Sequence, residues 1–97
     1  MKRTKAIHIR EILHDFYREN PQVRQKILDI RIKRAWGDIL GPMILRYTQN
    51  LYVKNRVLYV FLNSSVIRSE LILSRKRLLK SLNEYAGAEV IRDIVIR

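Results

Sequence analysis

Trp36-Gly37-Asp38-Ile39-Leu40-Gly41-Pro42, then Leu51 to Val53 and Val57-Leu58-Tyr59-Val60-Phe61-Leu62, and finally Ser64-Ser65 form the stretch that decides the fold of this chain. The two middle runs are rich in aromatic and β-branched residues, which suit a pleated, half-buried surface. They predict strands over 47–53 and 57–62, joined by the turn Lys54-Asn55-Arg56. Asn tolerates the positive φ that tight hairpins demand. In the second strand Val57, Tyr59 and Phe61 share one face, and Leu58, Val60 and Leu62 the other. Both faces are apolar. One is expected under helices, and the other is either covered too or used for binding.

Helices flank the hairpin on both sides. Upstream, Ile9, Ile12, Leu13, Phe16 and Tyr17 recur at helical spacing over 7–19, opposite Glu11, Asp15, Arg18 and Glu19. Asn20-Pro21 marks a stop and a restart, because Asn caps well and Pro suits the first helical position. A second helix is expected from about Pro21 to Trp36. Its main apolar stripe is Leu28, Ile32, Ala35, Trp36 and Ile39. Gly37 is expected to loosen or end it, with a short further helix over 38–46 that carries Pro42 in its first turn. Downstream, Ser64 or Ser65 caps a single long helix ending at Ala86 with Gly87 as its C′ residue. Ile67, Leu71, Leu78, Leu82 and Tyr85 make its main stripe, Ile72 and Leu79 a second one, with Arg68 and Arg75 between. Val90–Ile96 reads as a third strand, parallel to the second across the helical crossover. The fold class is therefore α+β, helix-helix-(short helix)-strand-strand-helix-strand, with a three-stranded mixed sheet in one domain over 1–97.

Composition narrows the function. The chain has 97 residues, no cysteine, and 20 Lys+Arg against 9 Asp+Glu, a net charge of +11. Without cysteine there is neither a disulfide framework nor a thiolate zinc site. No apolar run reaches the ~18 residues of a membrane span. No apolar segment of a signal peptide follows the basic start either, so a cytoplasmic protein is expected. Residues 1–36 hold 10 basic and 4 acidic groups, and residues 64–97 hold 7 and 4. Such an excess favours phosphate backbones, anionic lipid or an acidic protein; simple solubility is the plainer alternative.

Catalytic constellations are poorly supported. His8 and His14 lack the i, i+4 spacing of a helical metal pair. Glu11, Asp15 and Glu19 fit a charge-paired helix face. There is no phosphate-binding glycine loop and no nucleophile elbow. Gly37 and Gly41 are four apart, so they do not make the Gly-x-x-Gly clamp of a KH domain. Neither an enzyme nor a bound cofactor is expected.

The ordered set of motifs resembles one family. Trp36-Gly37-Asp38-Ile39-Leu40-Gly41-Pro42, Tyr47-Thr48, Leu51-Tyr52-Val53, Ser64-Ser65 with Glu70-Leu71, and Leu78-Leu79, Leu82-Asn83 and Gly87 carry the likeness. The family is DciA, the loader of the bacterial replicative helicase, formerly a domain of unknown function. The chain looks like its short form from Bacteroidetes-type bacteria, without an extended C-terminal tail. The resemblance implies a KH-like fold lacking the phosphate clamp, binding to single-stranded or structured DNA, contact with the replicative helicase, and no catalysis. Two positions depart from the pattern. Arg56 stands where the family often has Gly in the turn, and Ile67 where it often has an aromatic.

Candidate residues follow from charge. Lys2, Arg3 and Lys5 are expected on a disordered basic arm over 1–5. Arg24, Arg31, Lys33 and Arg34 form a helical set. Lys54 and Arg56 sit at the hairpin tip. Arg75, Lys76, Arg77 and Lys80 lie on the last helix. Each alone is an ordinary solvated charge; a few together give salt-sensitive nucleic-acid binding without base readout. Trp36, tempting as a base-stacking platform, belongs to an apolar stripe and is expected in the core. Tyr52 and Tyr59 are divided between core and stacking surface, and Phe61 is expected in the core. Two other functions remain open: an RNA-binding KH-like module, and a protein-interaction adaptor or homodimer that uses Ile72 and Leu79.

Overall fold

The structure is a computed structural model. It describes residues 2–97, and the side chains of 2–8 and 10 lie outside the described set. The elements are α1 (Lys2–Glu19), α2 (Pro21–Tyr47), β1 (Thr48–Lys54), β2 (Val57–Leu62), α3 (Ser65–Leu73), α4 (Arg75–Ala86) and β3 (Asp93–Ile96). β2 is central. It pairs antiparallel with β1 and parallel with β3. This is the α+β layout and the mixed sheet that the sequence predicts.

The helices differ in where they start and break. α1 begins at Lys2, ahead of the residue 7 start that periodicity predicts. α2 runs straight through Gly37 and breaks at Gly41, whose dihedrals (φ 90, ψ 173) fall where essentially only glycine goes. Pro42 then opens the second helical piece, its fixed φ suiting a first turn. Gly37 has a packing role instead. A Cβ there would meet the Leu45 side chain at 3.4 Å, so the segment after the break lies close against it.

The single long helix expected from Ser64 to Ala86 is two helices. Ser64 is the cap, its Oγ accepting from the Ile67 amide at 3.3 Å. Ser74 leaves helical geometry (φ −100, ψ 11) and separates α3 from α4. Leu71 on α3 and Leu78, Leu82 and Ala86 on α4 are all buried. Gly87 adopts the left-handed conformation (φ 80) and closes α4, its amide donating to the Asn83 and Glu84 carbonyls.

One core results. Leu28, Ile32, Ala35 and Trp36 of α2 meet Leu58, Val60 and Leu62 of β2, together with Ile94 of β3 and Val90 and Ile91 before it. Ile39, expected in the α2 stripe, is exposed instead. Every second residue of β2 is buried, so its Leu58 face lies inside. The third strand is shorter than expected. Val90 and Ile91 precede it and are held by Asn83 rather than by the ladder. Asn83 Oδ1 accepts from the Val90 and Ile91 amides at 3.0 and 3.1 Å, and its Nδ2 donates to the Ile91 carbonyl at 2.8 Å.

Candidate nucleic-acid interface

Trp36 belongs to the scaffold. Its side chain is fully buried, and Nε1 donates to Thr48 Oγ1 at 3.1 Å. Thr48 in turn donates to the Ile44 carbonyl at 2.8 Å. The motif Trp therefore ties α2 to the first residue of β1 and takes no part in stacking on a ligand.

The hairpin tip carries charge under strain. Asn55 (φ 52) and Arg56 (φ 63) both have positive φ, the pattern of a two-residue type I′ turn. Glycine fits the second position without cost. An arginine there gives up about 1–2 kcal/mol to crowding of its Cβ. Two contacts anchor it: Arg56 Nη2 donates to the Glu89 carbonyl at 3.2 Å, and the Arg56 carbonyl accepts from the Arg92 amide at 2.7 Å. The arginine thus puts a cation at the tip and links the tip to the start of β3.

All ten predicted cations with described side chains are exposed: Arg24, Arg31, Lys33, Arg34, Lys54, Arg56, Arg75, Lys76, Arg77 and Lys80. They are spread over α2, the hairpin tip and α4. Some have structural partners. Arg31 Nη1 reaches the Ala86 carbonyl at 3.4 Å, a cation at the C-terminal end of α4 where the helix dipole favours it. Arg75 Nε lies 3.8 Å from Asp93, and Lys80 pairs with Glu84 one turn along at 4.0 Å. These are exposed pairs and contribute little to stability. The only other ion pair among the described residues is Arg18–Asp15. The side chains of Lys2, Arg3 and Lys5, expected on the basic arm, lie outside the described residues.

Arg68 has a different role from the exposed cations. Its Nη2 donates to the Leu62 carbonyl at 3.0 Å, and its Nε is buried without a partner among the described residues. The charge placed between two apolar stripes by the sequence is thus partly enclosed, joining α3 to the end of β2. Asp38 and Tyr85 make a similar link between α2 and α4 through the tyrosine hydroxyl. That hydrogen bond to the carboxylate holds the Tyr85 pKa above its usual value, with desolvation and the carboxylate charge acting the same way.

Ile72 and Leu79 fall on different helices. Leu79 packs against the core, while Ile72 stays exposed, as do Leu73 and Val66 of α3. Another set of exposed apolar residues, Ile9, Ile12, Leu13 and Phe16, lies along α1.

Phe61 is not in the core. It lies with Tyr52 and Tyr59 on the sheet face away from the buried leucines, because β2 alternates and Phe61 has the parity of Tyr59. Arg97 and Arg92, not singled out from the sequence, flank β3. The Arg97 backbone extends the parallel pairing beyond Ile96, its amide donating to the Val60 carbonyl at 2.9 Å. Strand alternation carried on past Ile96 is the signal that finds it.

No helix among the described residues is long and apolar enough to cross a membrane. Among them, too, no cluster of His, Asp and Glu side chains is arranged to hold a metal ion.

No curated protein matches the chain. A family model does, the one described as Dna[CI] antecedent, DciA, over residues 8–96. That span includes the Trp36–Pro42 break, the hairpin, the Ser64 cap and the Asn83 lock. The role it implies is in loading of the replicative helicase during DNA replication, and the family is not a known catalytic one. The chain belongs to the DciA family.

Proposed function

We propose that the protein is a non-enzymatic accessory of bacterial DNA replication that binds DNA through its basic surface and directly contacts the replicative helicase in the cytoplasm. The observation that carries the DNA part is the exposure of all ten described candidate cations, in a chain of net charge +11 whose described ion pairs are only three. Phosphate contacts from such groups give affinity without sequence readout. The helicase part rests on family membership and on unburied apolar surface. The α1 side chains Ile9, Ile12, Leu13 and Phe16 have the i, i+3, i+4, i+7 spacing with which an amphipathic helix enters a partner's groove.

The test of the helicase contact is co-purification with the replicative helicase from lysate, with and without nuclease. Retention of the helicase after nuclease is the expected result. Loss of every protein partner on nuclease treatment contradicts direct contact and leaves non-specific nucleic-acid binding. The same surface charge suits RNA, so matched DNA and RNA strands compared side by side separate a replication protein from an RNA-binding module.

A further inference from the structure

The sheet face turned away from the core has an order of its own. The pairing register sets it out in three rows across the strands: Lys54–Val57–Asp93, Tyr52–Tyr59–Val95, and Asn50–Phe61 with Arg97 beyond. The neighbouring positions Leu51, Val53, Leu58, Val60, Leu62, Ile94 and Ile96 point the other way, into or against the core. Tyr52, Tyr59, Phe61, Val57 and Val95 have no part in that core.

The three aromatic rings form one array. Tyr52 and Tyr59 stack at 5.0 Å between centroids with 15° between planes, and Tyr52 and Phe61 at 6.1 Å and 22°. Tyr52 is in the middle, and 36% of its surface is exposed. Cross-strand aromatic pairing accounts for part of this, since such pairs stabilise a hairpin. It does not account for three large rings on a face outside the core, Tyr52 exposed and Tyr59 and Phe61 half-buried, where polar residues ordinarily alternate with buried ones.

The rim of this face indicates its occupant. Lys54 ends β1 on the same face, Arg56 is at the adjoining tip, and Arg97 follows β3 with the parity of Val95. The one carboxylate in the three rows, Asp93, already has Arg75 at 3.8 Å. A flat aromatic row with a cationic border fits a ligand that is anionic along its edge and has π-faces within. Single-stranded nucleic acid has both features, and sequence-tolerant stacking of bases on aromatic side chains is how such strands are held. A duplex keeps its bases stacked on one another and cannot use the rings. A second copy of this chain would bring a like-charged rim against this one.

We propose that the Tyr52–Tyr59–Phe61 face is a stacking platform for single-stranded DNA, with Lys54, Arg56 and Arg97 holding the phosphates. This rests on the DNA-binding reading above and adds a site to it. Unstacked bases add to the exposed ring surface, while the backbone runs along the cationic border.

The test is fluorescence anisotropy of the full chain with a labelled oligo(dT), the matched duplex and a matched RNA strand. The native chain is compared with the double variant Tyr52→Thr/Tyr59→Thr and with the double Tyr→Phe variant. The threonine variant is expected to lose about 10- to 100-fold in single-strand affinity, as one or two stacked bases would give. Its salt slope should not change, because no phosphate contact is removed. The phenylalanine variant keeps native affinity, and the duplex binds more weakly than the strand.

Native affinity in a folded threonine variant overturns the platform while leaving DNA binding intact. Absence of strand binding by the native chain overturns the DNA reading itself. RNA binding tighter than DNA overturns the choice of DNA. A native dimer that the threonine variant dissolves makes this face a self-association surface instead. Should the variant fail to fold, photocrosslinking of the native chain to an iodouracil-substituted strand decides the matter. Adducts on Tyr52, Tyr59 or Phe61 are expected, and adducts confined to α2 and α4 overturn the proposal.

Discussion

Trp36→Ala lowers the stability of the chain by about 3–5 kcal/mol, the range for removing a fully buried large aromatic side chain. A small domain has only about 5–15 kcal/mol in total. The indole has no solvent exposure and lies among Ile32, Ala35 and the buried β2 leucines. Its removal leaves a cavity at the junction of α2 and the sheet and also ends the Nε1–Thr48–Ile44 relay. Trp36→Phe separates the two contributions. Most of the buried area remains, Thr48 keeps its bond to the Ile44 carbonyl, and the loss falls to about 1 kcal/mol for the hydrogen bond plus a modest packing defect. Urea denaturation followed by circular dichroism measures both variants. A Trp36→Ala chain as stable as the native one would mean that the indole is not a core anchor.

Asn83→Ala is the second large loss, about 2–4 kcal/mol. One side chain satisfies two amides and a carbonyl in the segment between α4 and β3. Alanine leaves the Ile91 amide and carbonyl to find new partners beside buried apolar side chains, while the Val90 amide keeps its bond to the Ala88 carbonyl at 2.9 Å, and each half-buried unsatisfied group costs about 1–3 kcal/mol. The thermal midpoint should fall by about 10–25 °C for a domain of this size. Asn83→Asp makes the control. It keeps the two acceptor contacts and loses only the donor to the Ile91 carbonyl, so its loss falls between native and alanine. A midpoint unchanged by Asn83→Ala would show that the segment holds its shape by burial alone.

Much of this architecture is legible in the residues. The alternation in Val57–Leu62 fixes the strand and its two faces, but both faces are apolar, and only the placement of the helices shows that the Leu58 side is the buried one. Asn20-Pro21, Ser64 and Gly87 mark helix ends because each has a specific local effect: a proline at the first helical position, a side-chain cap, and a left-handed residue. Gly37 and Gly41 read alike in the sequence. Both are helix breakers by propensity, and only the backbone shows that Gly41 adopts the glycine-only conformation while Gly37 makes room for Leu45. Ser74 gives no strong local signal, so α3 and α4 read as one helix. Val90 and Ile91 have strand composition, but Asn83 pairs their backbone first. Phe61 reads as core because a large aromatic is usually buried, whereas its parity along β2 sets it beside Tyr59. The candidate site is less legible than the fold. A sequence shows how many cations there are, but Arg31 at the end of α4 and Arg68 at the end of β2 become structural only when the helices are placed.

The central claim is that this surface binds DNA by charge. Affinity for a labelled single strand, measured across rising salt, tests it most directly. Three to five phosphate contacts give a log–log slope of about −2 to −4, since each contributes roughly −0.7 on a single strand. A flat dependence, or no binding at low salt, would contradict it.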